Sequence, residues 1–135
     1  SDLGSEFDEI NKLREESMQN DFSNDFLFPR IFNQIDENSD TGNIFTRLLA
    51  DRKISGSINW IKLNNYLMFN YHEENADGTL NNYFEVFDIS KEKVILNEIL
   101  NSNSTKLAFE SFFIMNNLLF LMVEKTKLVV YKIMQ

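Results

Sequence analysis

Along most of the chain, apolar side chains come in short runs divided by a few polar residues, and this pattern predicts strands joined by tight turns. The fullest set begins with a strand over 58–63, the turn Asn64-Asn65 and a second strand over 66–71. A longer loop over 72–82, containing Asp77-Gly78, leads to a third strand over 83–89. Asn and Gly accept the positive φ that tight hairpins demand. The turn Ser90-Lys91-Glu92-Lys93 precedes 94–100, which reads as a fourth strand or a short helix, and 101–105 reads as a loop. The order then restarts with a strand over 109–115, the turn Asn116-Asn117, a strand over 118–123, a turn at 124–126 and a strand over 127–133. Residues 118–123 are apolar on both faces, as expected of a central strand covered on both sides. Upstream, a strand that begins beyond Pro29, a turn over 36–43 and a strand over 44–49 are expected, because Pro29 cannot donate to a ladder.

These segments recur at a fixed step. Phe32-Asn33-Gln34-Ile35-Asp36 matches Phe84-Glu85-Val86-Phe87-Asp88 at a distance of 52 residues. The run Trp60 to Phe69 overlays Phe112 to Leu121 at the same distance. Labelled A to D, the strands read C-D, A-B-C-D, A-B-C. This order resembles the blade repeats of β-propellers over residues 27–133. Asp40-Thr41-Gly42-Asn43-Ile44, and less closely Asp88 to Val94, are similar to the turn of quinoprotein-like blades, whereas the Gly-His and Trp-Asp pairs of WD40 repeats do not occur. The resemblance implies a mainly β domain of antiparallel, blade-like strands, a partial propeller or small meander sheets, over 27–135. It also implies a piece of a larger scaffold, since a ring closes with about 4 to 8 blades.

Composition narrows the rest. The 135 residues are 43% hydrophobic, with 13 Phe and one Pro, enough for a globular core. Cysteine is absent, which removes disulfides, thiol nucleophiles and Cys-based zinc sites together. No apolar run approaches the ~18 residues of a membrane-spanning helix. The formal charge of −8 is uneven: residues 1–40 hold eleven acidic side chains against Lys12, Arg14 and Arg30, and the remainder balances. Without a basic stripe there is nothing to displace counterions from a phosphate backbone, so neither nucleic acid nor an anionic membrane is an expected partner. Residues 1–7, with Gly-Ser-Glu-Phe, read as a vector-encoded scar, and 8–26 as an acidic leader, helical or disordered, with Ile10, Leu13 and Met18 near one helical face.

Candidate chemistry is sparse. His72 is the single histidine; a general base needs a positioned partner, and beside Glu73 and Glu74 it reads as an exposed strand-end imidazole. No nucleophile elbow or phosphate-cradling glycine loop occurs. The loops 36–42 and 73–80 alternate oxygen-bearing side chains as a hard cation prefers, yet both lack the closing carboxylate, so solvated turns are expected and no metal or cofactor. Phe22, Phe26 and Phe28 among acids read as a docking motif or a first strand, with Phe28 nearer the core. Trp60 and Tyr66 offer a stacking surface, though core packing is the simpler role for Trp60. The expectation is a non-catalytic protein-interaction module whose open strand edges need another protein or further copies of itself. The alternative is a lectin-like oligomer of two-blade chains that binds carbohydrate.

Overall fold

The structure is a computed structural model and describes residues 31–108 and 111–133. The expected leader, its Phe22, Phe26 and Phe28, and the vector-encoded residues lie outside them. The described residues divide into two compact units, one spanning Ile31–Leu107 and the other holding 108 and 111–133. The described residues are mainly antiparallel β, in open sheets of four and three strands with one short helix.

The first unit opens differently from the expectation. Where a strand over 44–49 was predicted, Asp40–Leu48 is a helix, α1. The Ser39 hydroxyl accepts the Gly42 N–H at 2.9 Å, a helix N-cap, and Asp40 sits in the first turn where the helix dipole favours an anion. Ile44, Phe45, Leu48 and Leu49 then share one helical face, so the period of 3.6 overrides the β propensity of single residues. Gly42 is required by space: a Cβ there would lie 3.0 Å from the Glu37 Cα and closer still to the Asp36 carbonyl oxygen. Among the described residues, the strand expected beyond Pro29 reduces to a single bridge, in which the Phe32 and Trp60 N–H groups donate to each other's carbonyls at 2.8 Å.

Strands β1 (Ile54–Leu63), β2 (Tyr66–Glu74), β3 (Leu80–Asp88) and β4 (Lys93–Ser104) follow in a meander of order β1-β2-β3-β4. The loop expected over 72–82 is shorter, because His72↔Asn82, Glu73↔Asn81 and Glu74↔Leu80 pair and leave only 75–79 to turn. Residues 94–100 are strand, and β4 runs on through 101–104, where a loop was expected. Along β4 the register slips by an extra residue at Ile95, at Leu100 and again between Asn101 and Ser104.

Alternation gives the sheet two faces. On one, Leu67, Phe69, Tyr71 and Phe87 form the core with Phe45 of α1 and Leu49 at its C-cap, and Trp60, Tyr83 and Val94 pack against it. Phe45 meets Phe69 edge-on at 5.2 Å. On the other face Ile61, Met68, Phe84 and Val86 are buried as well.

The second unit holds β5 (Phe112–Met115), β6 (Leu118–Val123) and β7 (Lys127–Lys132), a meander of order β5-β6-β7. β6 is central, as its two-sided apolar pattern predicts. Phe113 and Phe120 stack at 4.7 Å on one face, and Ile114, Leu119 and Leu121 are buried on the other.

Candidate functional site

Glu85 is a charged residue in the middle of an apolar strand, and alternation turns it onto the α1 face, where it is 1% exposed. A carboxylate removed from water requires partners, and two side chains supply them. Arg52, in the segment between α1 and β1, directs Nη1 at both Glu85 Oε2 and the Tyr71 hydroxyl. Asn97 of β4 donates to Glu85 Oε1 at 3.1 Å. The Arg52 guanidinium carbon also lies 5.2 Å from the Tyr71 ring centroid, and Tyr71 stacks on Tyr83 at 5.4 Å. Burial, reinforced by the Glu85 carboxylate, pushes the Tyr71 hydroxyl far above its ordinary range. Burial pulls Arg52 down, and the hydrogen bond and charge of Glu85 more than offset that, so its guanidinium is held protonated. Both Glu85 oxygens and the Tyr71 hydroxyl have donors, so the cluster ties the α1–β1 segment to β2, β3 and β4.

The opposite face carries a polar row. Asn59 donates to Asn70 at 3.2 Å and Asn70 donates to Asn82, linking β1, β2 and β3. His72 belongs to this face and is 4% exposed, which corrects the expectation of an exposed imidazole: it lies inside β2, and burial pushes its pKa down.

The two cation-like loops spend their oxygens on hydrogen bonds within the loops themselves. Asp36 Oδ1 accepts the Asn38 N–H at 3.0 Å, while the Ser39 hydroxyl caps α1. Asp77 Oδ1 accepts both the N–H and the hydroxyl of Thr79, at 2.9 and 2.6 Å, which holds its carboxyl below the usual range. Among the described residues no group of three or more metal-ligating side chains converges.

Trp60 is half-buried: its ring lies 5.0 Å from Phe32 and 5.9 Å from Phe45, and its indole N–H donates to the Gln34 carbonyl at 2.9 Å. Tyr66, also half-buried, starts β2 opposite Leu63 and Asp88. The two are thus placed on different strands, Trp60 toward α1 and Tyr66 at the hairpin turn.

Two surface features were not anticipated. Ile95 and Ile99 on the outer strand β4 are each 46% exposed, with the exposed Asn97 between them. A groove of about 270 Å³ runs between α1 and the β3–β4 turn, lined by Ile44, Arg47, Leu48, Phe87, Ile89 and Glu92. The alternation Ile95, Asn97, Ile99 was visible as a strand pattern, but which side faces outward depends on the tertiary fold. The pairing of Arg52 with Glu85, separated by 33 positions, had one sequence signal: a lone carboxylate inside the run Phe84 to Phe87.

Comparison of the chain with protein-family models, curated proteins and solved structures gave no match.

Proposed function

We propose that the chain is a non-catalytic module for protein–protein contact, docking through the outer side of β4. The observation that carries this reading is the pair Ile95 and Ile99, two large aliphatic side chains at 46% exposure on a strand with no neighbour on its outer side among the described residues. Paired apolar anchors beside polar residues match the composition of a contact surface, where a few large side chains supply most of the binding energy. The slips of register at Ile95 and Leu100 twist the β4 backbone out of a regular ladder, which favours recognition through side chains over addition of a strand. The antiparallel four-strand meander is compatible with a blade of a larger repeat assembly, and the two Asn-Asn hairpins that lie 52 residues apart support the same reading.

The test compares the chain with Ile95→Lys/Ile99→Lys, both exposed positions, as baits in cross-linking from native extract. A defined set of proteins, or a second copy of the chain, is expected on the wild type and lost from the variant at unchanged melting temperature. Equal capture by both baits removes the β4 surface from the reading.

A further inference from the structure

Resting on the interaction-module reading, the pattern of side chains along β4 specifies the partner. Register fixes the face on which they stand: Asn97 lies opposite Glu85 and Ile99 opposite Tyr83, and both of those residues belong to the α1 face. The helix lies over β1 and β2, with Phe45 against Trp60 and Phe69. At β4 the same face leaves Ile95, Asn97 and Ile99 exposed.

These three positions read Ile, Asn, Ile in either direction. A second β4, turned by a two-fold rotation about Asn97 and running antiparallel, therefore sets Ile95 on Ile99 and Ile99 on Ile95, the self-complementarity of an isologous contact. Asn97 falls on the axis. One of its N–H groups donates to Glu85 Oε1 at 3.1 Å, and an amide has a second N–H and an oxygen to exchange with its counterpart. None of the three side chains is charged, and Glu85 beneath them is paired with Arg52. A charged ligand thus gains nothing at the centre of this patch, while two copies meet no like charge there in spite of a net charge of −8. The regular stretch of register, Leu96 to Ile99, is bracketed by slips at Ile95 and Leu100, so the contact is short and rests on side chains.

We propose that β4 docks on β4 of a second copy of the chain, antiparallel across a two-fold axis at Asn97, with Ile95 of each copy packed on Ile99 of the other.

The test is sedimentation velocity on the full chain. Dimer is expected to grow in as concentration rises from about 1 μM to about 1 mM, the span of modest contacts. Ile95→Lys/Ile99→Lys, at exposed positions and with unaltered melting temperature, should weaken association by about tenfold or more by setting like charges together. Ile95→Lys/Ile99→Glu should associate more tightly than that variant, because antiparallel pairing sets opposite charges together. The chain has no cysteine, so a second readout needs no charge. Mild oxidation of Ile95→Cys mixed with Ile99→Cys should give the mixed disulfide, whereas each variant alone stays largely reduced, its two thiols being about 13 Å apart along the strands. A monomer at every concentration, a dimer unmoved by Ile95→Lys/Ile99→Lys, equal loss in both charged variants, or no preference for the mixed disulfide overturns the proposal. A monomer that still captures another protein through Ile95 and Ile99 overturns the second copy alone and leaves the interaction module standing.

Discussion

The four-stranded and three-stranded units use one hairpin device and fill their cores in opposite ways. In both, an Asn-Asn turn joins the first two strands, with Leu63↔Tyr66 in one and Met115↔Leu118 in the other. In both, the residue after the third strand returns an N–H to the second turn asparagine, Ile89 to Asn65 at 2.8 Å and Ile133 to Asn117 at 2.7 Å. Local turn chemistry therefore sets the meander whatever lies above or below it. The difference is in the faces: the buried side chains of β5 and β6 are all apolar, whereas β2 and β3 carry Glu85, Asn70, Asn82 and His72 among theirs. A polar group inside a sheet costs stability unless every partner is present, so the four-stranded unit depends on specific pairs and the three-stranded unit on volume.

The largest expected effects probe that contrast. Phe120→Ala removes a buried ring stacked on Phe113 and should cost about 3–5 kcal/mol in chemical denaturation, with no second substitution of a polar residue able to restore it. Arg52→Ala should cost a similar ~3–5 kcal/mol by leaving Glu85 buried without its cation, but Arg52→Met combined with Glu85→Leu should recover most of the loss. If the double substitution is as destabilising as the single, the cluster is not held together by its charges and the contrast fails.

Gly42→Ala comes next, at about 1–3 kcal/mol, because the added methyl meets backbone at Asp36 and Glu37 that cannot step aside. Hydrogen exchange should show α1 and β2 amides losing protection; equal loss at β6 amides would mean the two units do not respond separately. Smaller effects sharpen the hairpin comparison. Asn116 and Asn117 both have positive φ, 49° and 63°, whereas in the first turn only Asn64 does, at 53°. Alanine pays about 1–2 kcal/mol per left-handed residue, so replacing both asparagines of the second turn should cost about twice as much as replacing both of the first, and glycine in their place should cost little.

The smallest effect is the pH response of the four-stranded unit. Burial lowers the pKa of His72, so the folded chain keeps it neutral while the unfolded chain binds a proton below about 6.5. Its contribution is complete above that value and lost as pH falls. The denaturation midpoint should decline from pH 7 to 5.5 in the wild type, and the decline should shrink in His72→Gln. A further loss is expected below about 4, where Asp77 and Asp88, both held low by hydrogen bonds from Thr79 and from Ser90 and Lys91, take up protons.

Strands and turns were legible because their causes are local. Asn64-Asn65, Asp77-Gly78 and Asn116-Asn117 fixed hairpin positions, and β6 matches the expected 118–123 end to end. Helix α1 was misread because Asp40-Thr41-Gly42 has the composition of a turn; the overlooked cues were Ser39 as a cap and the helical spacing of Ile44, Phe45, Leu48 and Leu49. His72 was misplaced by its acidic neighbours, since two more residues of pairing carried it into the sheet. The Arg52–Glu85 tie, the groove and the outward turn of Ile95 and Ile99 all arise from contacts between distant segments. Periodicity marks which residues share a face, and it cannot say which faces meet.

A twelve-residue margin carrying two bare isoleucines would ordinarily invite copy after copy to zip together into filaments. The extra residues at Ile95 and Leu100 break the even spacing that such growth needs. Two inserted residues thus work against strand-by-strand growth along that border while leaving both side chains in reach of solvent.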